Sequence, residues 1–273
     1  SDCYFQAKQG LFDVIHSHLT VMTGFFSRIE KKTPTLISIH SPIEAWMKTI
    51  LLKHKDEKYI SFSLAQRKLL PELNWYANIY HGVDTDIFAY NEKPEDYVLF
   101  IGRLTHDKGA HIAIKACMEA NVPLRIAGRS YVTEGYWHEK IEPYINGNEV
   151  RYFGEVSLED KIPLIQNAKA IIFPVLWQEP FGYVLIEAMS CGTPVVAFNN
   201  GSVPEIVRDG VTGFIVESEE EMVEAIKKID TIDRKKVRNR AEQFFSLKTM
   251  ISNYESVYKR VIQDTKFKKD KQK

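Results

Sequence analysis

The sequence predicts an α/β chain of two parallel-sheet domains, and three observations carry that expectation. Short β-branched or aromatic runs alternate with helical patterns almost throughout, as they do where helices cover a parallel sheet. A polar stretch from Tyr90 to Asp96, containing Pro94, separates two such series. Polar and glycine residues gather just after the runs, where open α/β sheets bind their ligands.

The first series spans 1–93. It opens in what reads as the tail of a helix. A strand at Asp13-Val-Ile-His-Ser17 and a helical pattern from about Thr20 to Lys31 follow. Thr35–Ile39 is the next strand. Ser41-Pro-Ile-Glu44 then offers an N-cap, a proline at the first helical position and a capping-box acid, so a helix is expected to run to about His54. Lys58–Phe62 and Ala77–Tyr80 are further strands, with a second capping box, Ser63-Leu-Ala-Gln66, between them. The series lacks a first strand with a glycine-rich turn. It is expected to be an incomplete doubly wound domain whose N-terminal part is missing from this chain.

The second series spans 94–245. Its expected strands are 97–101, 124–127, 150–153, 170–173, 195–198 and 214–216, with helices near 108–120, 158–167, 183–191 and 203–208. Met222, Val223, Ile226 and Ile229 mark one face of another helix. Residues 234–262 read as helical. The region 246–273 is expected to form a C-terminal helix returning toward the first domain, with a frayed basic tail at 266–273.

Composition narrows the functional classes. Thirty-six basic residues balance thirty-six acidic ones, so no global field draws the chain to nucleic acid. No apolar run approaches the ~20 residues of a membrane span. Cys3, Cys117 and Cys191 lack metal-like spacing and read as reduced thiols, which points to the cytoplasm. The short basic tail has no apolar face and reads as solvated. Weak peripheral contact with anionic lipid at the inner membrane face is its alternative.

Six strand ends carry candidate ligand contacts: His40, Gly102-Arg103, Gly128-Arg129-Ser130, Gly154-Glu155, Glu179 and Asn199-Asn200-Gly201. Chance would place one or two there; six argue for a cleft lined from both domains. In Gly102-Arg-Leu-Thr-His-Asp-Lys-Gly109, Arg103 and Lys108, with His106 beside them, stand at a helix start. Cations are unfavourable there unless an anion joins them. Arg103 suits bidentate phosphate and Lys108 supplies a point charge; a solvated loop capped by Asp107 is the bland alternative. The spacing fits neither a Walker loop nor G-x-G-x-x-G, which argues against ATP hydrolysis and nicotinamide chemistry.

In Glu179-Pro-Phe-Gly-Tyr-Val-Leu-Ile-Glu187 one carboxylate precedes a glycine turn and the other lies inside an apolar helix. Gly182 permits close backbone approach, and the amides of a helix start suit an anion. A buried helix with an N-terminal acid is the alternative. His40, between a strand and a helix, is expected to face the cleft, against a histidine merely hydrogen-bonded at a strand end. His16 and His18 alternate on one strand, but no Cys or Glu stands at ligand spacing, so no metal site is expected. Trp177, Phe181 and Tyr183 read as packing residues, the last two acting only as backbone donors.

These motifs resemble a known family. Val98-Leu-Phe-Ile-Gly-Arg-Leu-Thr-His-Asp-Lys-Gly109 is similar to the donor-phosphate motif of family-4 retaining glycosyltransferases of the GT-B fold, in which two Rossmann-like domains face a cleft. The run Phe173–Val195 resembles their E-x7-E motif and its sequel, and Gly201–Gly213 fits as well. Phe12–His18, the His40 turn and Tyr80-His-Gly-Val-Asp84 match in the first series.

The resemblance implies roles. Arg103 and Lys108 hold the diphosphate of a nucleotide-sugar donor, with Gly102 in the same turn. Glu187 binds the ribose, and the amides of Phe181, Gly182 and Tyr183 meet the distal phosphate or the sugar. Glu179 faces the transferred sugar, Gly154 to Val156 line the base, His40 approaches the sugar, and His18 borders the acceptor. The implied reaction moves a hexose-type sugar, from a UDP-sugar in preference to GDP- or ADP-sugars, to a hydroxyl of a sugar, lipid-linked or small-molecule acceptor. It needs no cofactor and no metal, because basic side chains stabilise the leaving diphosphate. A non-catalytic nucleotide-sugar-binding fragment and a nucleotide-sugar epimerase are the alternatives.

Overall fold

A computed structural model describes residues 2–27, 32–131 and 135–270, without the side chains of 268–270. The chain divides into two compact units, Ser1–His81 with Lys248–Lys273, and Gly82–Leu247.

In unit 1, β1 (Ile15–Ser17), β2 (Thr35–Ser38), β3 (Lys58–Ser61) and β4 (Trp75–Asn78) form an all-parallel sheet in that order. Side chains alternate between its faces. Ile37 and Tyr59 pack with Met47, Leu51, Leu70 and Leu73 on one face. Leu36 and Ile60 pack with Ile79 on the other, where Val261 of the C-terminal helix closes the core. Residues far apart in sequence thus cover the second face. Helices α1 (Asp2–Lys8), α2 (Thr20–Phe26), α3 (Ala45–Lys53) and α4 (Leu64–Lys68) complete the unit.

Two helix starts differ in how far they follow the sequence. Ser63 Oγ accepts from Gln66 N at 3.1 Å, so the cap half of the second box forms, while Gln66 Oε1 accepts from Phe62 N at 2.9 Å, one residue before the N-cap. The first does not: α3 begins at Ala45, and Glu44 is its N-cap without a side-chain bond to the helix amides. The Glu44 carboxylate accepts instead from Trp46 Nε1 at 2.7 Å. Of the helix expected over 20–31, positions 28–31 lie outside the described residues.

Unit 2 carries β5 (Val98–Ile101), β6 (Leu124–Ala127), β7 (Val150–Tyr152), β8 (Ala170–Phe173), β9 (Val195–Phe198) and β10 (Gly213–Val216). They form an all-parallel sheet in the order β10-β9-β8-β5-β6-β7. Its helices are α5 (Ala110–Ala120), α6 (Gly135–Lys140), α7 (Leu158–Gln166), α8 (Tyr183–Ser190), α9 (Val203–Ile206), α10 (Glu219–Lys227) and α11 (Arg234–Phe245). The order reverses between β5 and β8, the place where such sheets bind ligands.

The unit boundary corrects the expected division at 93/94: it falls between His81 and Gly82. Hydrogen bonds give the reason. Val83 N donates to Phe245 O at 2.8 Å, Arg238 Nη1 to Phe88 O at 2.7 Å, and Asn91 N to Cys191 O at 3.0 Å. The polar stretch 90–96 is therefore a loop of unit 2. The helix expected over 234–262 is also two helices, because Ser246 is extended and bridges to Val83. Beyond it, α12 (Leu247–Asp270) joins unit 1 from Lys248. It stays helical through 266–270 of the tail expected to fray, and 271–273 lie outside the described residues. Among the described residues no helix is long and apolar enough to cross a membrane.

Candidate active site

Three loops meet at the switch point of unit 2. The loop after β5 (102–109), that after β8 (174–182) and that after β9 (199–202) are joined backbone to backbone. Leu176 N donates to Asp107 O at 2.9 Å, and Ser202 N to Glu179 O at 3.0 Å. Asn200 Nδ2 donates to Val175 O and Ser202 Oγ to Phe181 O, each at 2.8 Å. The polar run 199–201, read from sequence as ligand-facing, is thus largely a brace for the Glu179 loop. Gly109 has φ +75°, and a Cβ there would lie 2.2 Å from Pro174 O. Gly109→Ala is expected to destabilise unit 2 by at least about 1–3 kcal/mol, read as a lower urea midpoint, since both φ and space oppose a side chain.

This scaffold sets Lys108 and Glu179 face to face. A short 3-10 turn, His106–Lys108, precedes α5 and presents the lysine. Lys108 Nζ lies 2.7 Å from Glu179 Oε2, with side chains 16% and 13% exposed. The same ammonium sits 4.8 Å from the centroid of the Trp177 ring. Around them opens a pocket of about 180 Å³ whose lining includes Gly102, Lys108, Glu179, Gly182 and Tyr183. Gly182 (φ +80°) is the N-cap of α8, and no side chain caps that helix start. The arrangement offers an ammonium, a carboxylate and a helix N-terminus to one small polar ligand.

The remaining expected residues fall around this centre. Arg103 is exposed, with no hydrogen bond or ion pair to any described residue. Gly154 has φ +72° with open space beside it, and Val156 is half-buried just before Ser157, the cap of α7. Phe181 is buried, its ring 6.2 Å from that of Phe245, so its side chain packs. Tyr183 is half exposed at the mouth. Glu187 lies one turn deeper in α8 and pairs with Lys161 Nζ at 2.6 Å.

His40 belongs to unit 1, where four histidines cluster at the strand ends. Its Nε2 is 2.7 Å from His18 Nδ1, so one nitrogen carries the hydrogen and the other the lone pair. Burial lowers its pKa, and the neighbouring His18 adds to the shift. His16 is held by Tyr258 Oη at 2.7 Å and Ser38 Oγ at 2.8 Å, and burial pushes it down to about 4. His81, stacked on Phe62 at 3.8 Å, is pushed by burial to about 3. Among the described residues no group of three or more His, Cys, Asp or Glu is arranged to hold a metal ion.

The model of the family described as glycosyl transferases group 1 matches residues 83–244, more than half of the chain and nearly all of unit 2. The chain belongs to that family. Among its relatives is the uncharacterized glycosyltransferase MJ1178 of Methanocaldococcus jannaschii, 27% identical over 221 residues; the match covers 75% of this chain but only 61% of the relative. Two solved structures share the two-domain GT-B fold. AviGT4, a glycosyltransferase involved in avilamycin A biosynthesis, superposes with a TM-score of 0.76 at 23% identity, covering 96% of this chain and 78% of its own. Anabaena Alr3699/HepE in complex with UDP and glucose gives 0.75 at 20% identity, covering 96% and 81%.

Within this group 1 glycosyl transferase, sequence reasoning overlooked Lys161 and read Trp177 as a packing residue only, whereas its ring also faces the Lys108 ammonium. Lys161 carries one legible signal, a cation in the first turn of a helix whose cap and neighbours are polar or acidic. Its partner, 26 positions away, is set by the packing of α7 on α8.

Proposed function

We propose that this chain is a retaining glycosyltransferase that moves a hexose-type sugar from a nucleotide-diphosphate sugar to a hydroxyl acceptor in glycan or glycolipid synthesis. The Lys108–Glu179 pair beside an uncapped helix start carries the reading. As the glycosidic bond breaks, charge develops on the bridging oxygen of the leaving diphosphate. Lys108, the exposed Arg103 and the first turn of α8 supply fixed positive potential for it, which is the largest catalytic term in such sites and serves in place of a metal. Glu179, within reach of the same space, faces the transferred sugar. Family membership supports the assignment of a hydroxyl acceptor, on a sugar, a lipid-linked glycan or a small molecule.

UDP is favoured as the nucleotide. Support comes from the structural neighbour HepE, described in complexes with UDP and with UDP-glucose. The three free cysteines support a cytoplasmic setting for the reaction. The lysine-rich tail at 266–273 would carry any weak peripheral contact with anionic lipid. The test is a screen of UDP-, GDP- and ADP-sugars against hydroxyl acceptors, following release of nucleoside diphosphate. Acceptor-dependent release supports the proposal. Nucleotide binding without release would favour a binding-only fragment, and acceptor-independent conversion of the donor an epimerase.

A further inference from the structure

Packing alone explains Trp177 poorly. Its Nε1 is buried, and no described residue accepts a hydrogen bond from it. A buried donor that the protein leaves without an acceptor destabilises the fold. Phenylalanine would pack in the same half-buried place and bring no such donor. A tryptophan there needs a compensating use.

Geometry supplies one. The ring centroid lies 4.8 Å from Lys108 Nζ, and indole has the best face of any side chain for a cation. The backbone that carries the ring is tied on both sides. Asn200 Nδ2 donates to Val175 O at 2.8 Å, and Leu176 N to Asp107 O at 2.9 Å. Beyond the ring, Gly201 N donates to Gln178 Oε1 at 3.1 Å and Ser202 N to Glu179 O at 3.0 Å. Asp107 belongs to the short turn that presents Lys108, so ring and lysine are held by joined loops. Lys108 lines the pocket and gives one of the three N–H groups of an ammonium to Glu179 Oε2 at 2.7 Å. A second carboxylate in place of the ring would also fix the ammonium, but it would cancel its charge. An aromatic face attracts a cation while carrying no net charge of its own.

We infer that Trp177 is a positioning residue that acts through Lys108: its ring holds the ammonium at the pocket wall and leaves the positive charge free for an anionic ligand. The inference rests on the nucleotide-sugar reading above and adds to it a residue outside the pocket lining. Without the ring, Glu179 is the only partner of the ammonium among the described residues, and the lysine is drawn to the carboxylate and away from an incoming anion.

The experiment is a double-mutant cycle read by titration of UDP, GDP and ADP with ligand NMR, which reaches weak affinities. Trp177→Met is expected to weaken binding of the preferred nucleotide about tenfold, equivalent to about 1.4 kcal/mol. Trp177→Phe keeps an aromatic face and should stay within about threefold of the wild type. In a Lys108→Met background, Trp177→Met should change affinity by no more than about twofold, because the cation through which the ring acts is gone. Thermal melting of each variant separates these effects from loss of fold, and Trp177→Leu replaces the methionine variant if that one does not fold. Wild-type affinity in Trp177→Met overturns the inference. So does an undiminished tenfold loss in the Lys108→Met background, which would make Trp177 a ligand contact in its own right. A phenylalanine variant as weak as the methionine one also overturns it, since the aromatic face would then not be the source. Failure of the wild type to bind any of the three nucleotides overturns the donor reading itself, and this inference with it.

Discussion

Replacing Lys108 with alanine is expected to lower kcat/KM for donor turnover about 100- to 1000-fold, the cost of removing one preorganised charge from a site where negative charge develops. The expected loss is large because the ammonium is only 16% exposed and is held from two directions, by Glu179 and by the Trp177 ring. An exposed lysine would be replaceable by water and salt. The substitution also leaves the Glu179 carboxylate, 13% exposed, without its cation. Breaking one side of a buried pair costs about 3–5 kcal/mol, so melting should fall as well, and rates belong below the variant's transition. Arg103→Ala separates the two effects. Arg103 is exposed and bonds to no described residue, so its loss should weaken donor binding with an unchanged melting temperature. Wild-type kcat/KM in Lys108→Ala would remove this residue from the chemistry.

Unit 1 should lose stability as pH falls from about 6.5 to 5, before ordinary carboxylates titrate. His81 has its pKa pushed by burial to about 3, with His40 and His18 adding repulsion. His16 is pushed to about 4 for the same reasons, burial first and then His18 and His40. The native rings therefore stay neutral while the unfolded chain takes up protons near its usual 6.5. A depressed folded-state pKa means that stability is present above 6.5 and is lost on the way down, because the unfolded state binds more protons. For His81, 7% exposed, the loss is about 2 kcal/mol by pH 5. His16 contributes in the same direction. Thermal melts at pH 7.5, 6.5 and 5.5 should show a decline of several degrees, shallower in His81→Asn than in the wild type. A transition independent of pH over that range would contradict the depressed values.

Much of unit 2 was legible because its signals are local. Ala170–Phe173 and Val195–Phe198 are fully apolar runs buried at every position, and a strand covered on both faces needs no alternation. The expected bounds of these strands and of 124–127 coincide with those observed. Ser63 and Ser157 each bind the amide three residues on, an interaction written in adjacent residues. Other features were illegible for an equally physical reason. The Ser41-Pro42 start failed because Trp46 claims Glu44, a competition that depends on rotamers and not on pattern. The unit boundary was misplaced because polarity marks a loop without saying which unit its backbone bonds to.

The sequence by itself determined the alternation of strands and helices, the glycine turns at strand ends and the set of charged residues gathered there. Those follow from side-chain period, φ preference and capping, all of which act over a few residues. The tertiary structure alone decided which of those charges meet. Lys108 finds Glu179 because β5 and β8 are neighbours at the point where strand order reverses. Lys161 finds Glu187 because α7 packs on α8. Val261 closes the core under β2 because Ser246 breaks a helical run and sends α12 to the other unit. Contacts between residues distant along the chain depend on packing of whole elements, and no local pattern encodes them.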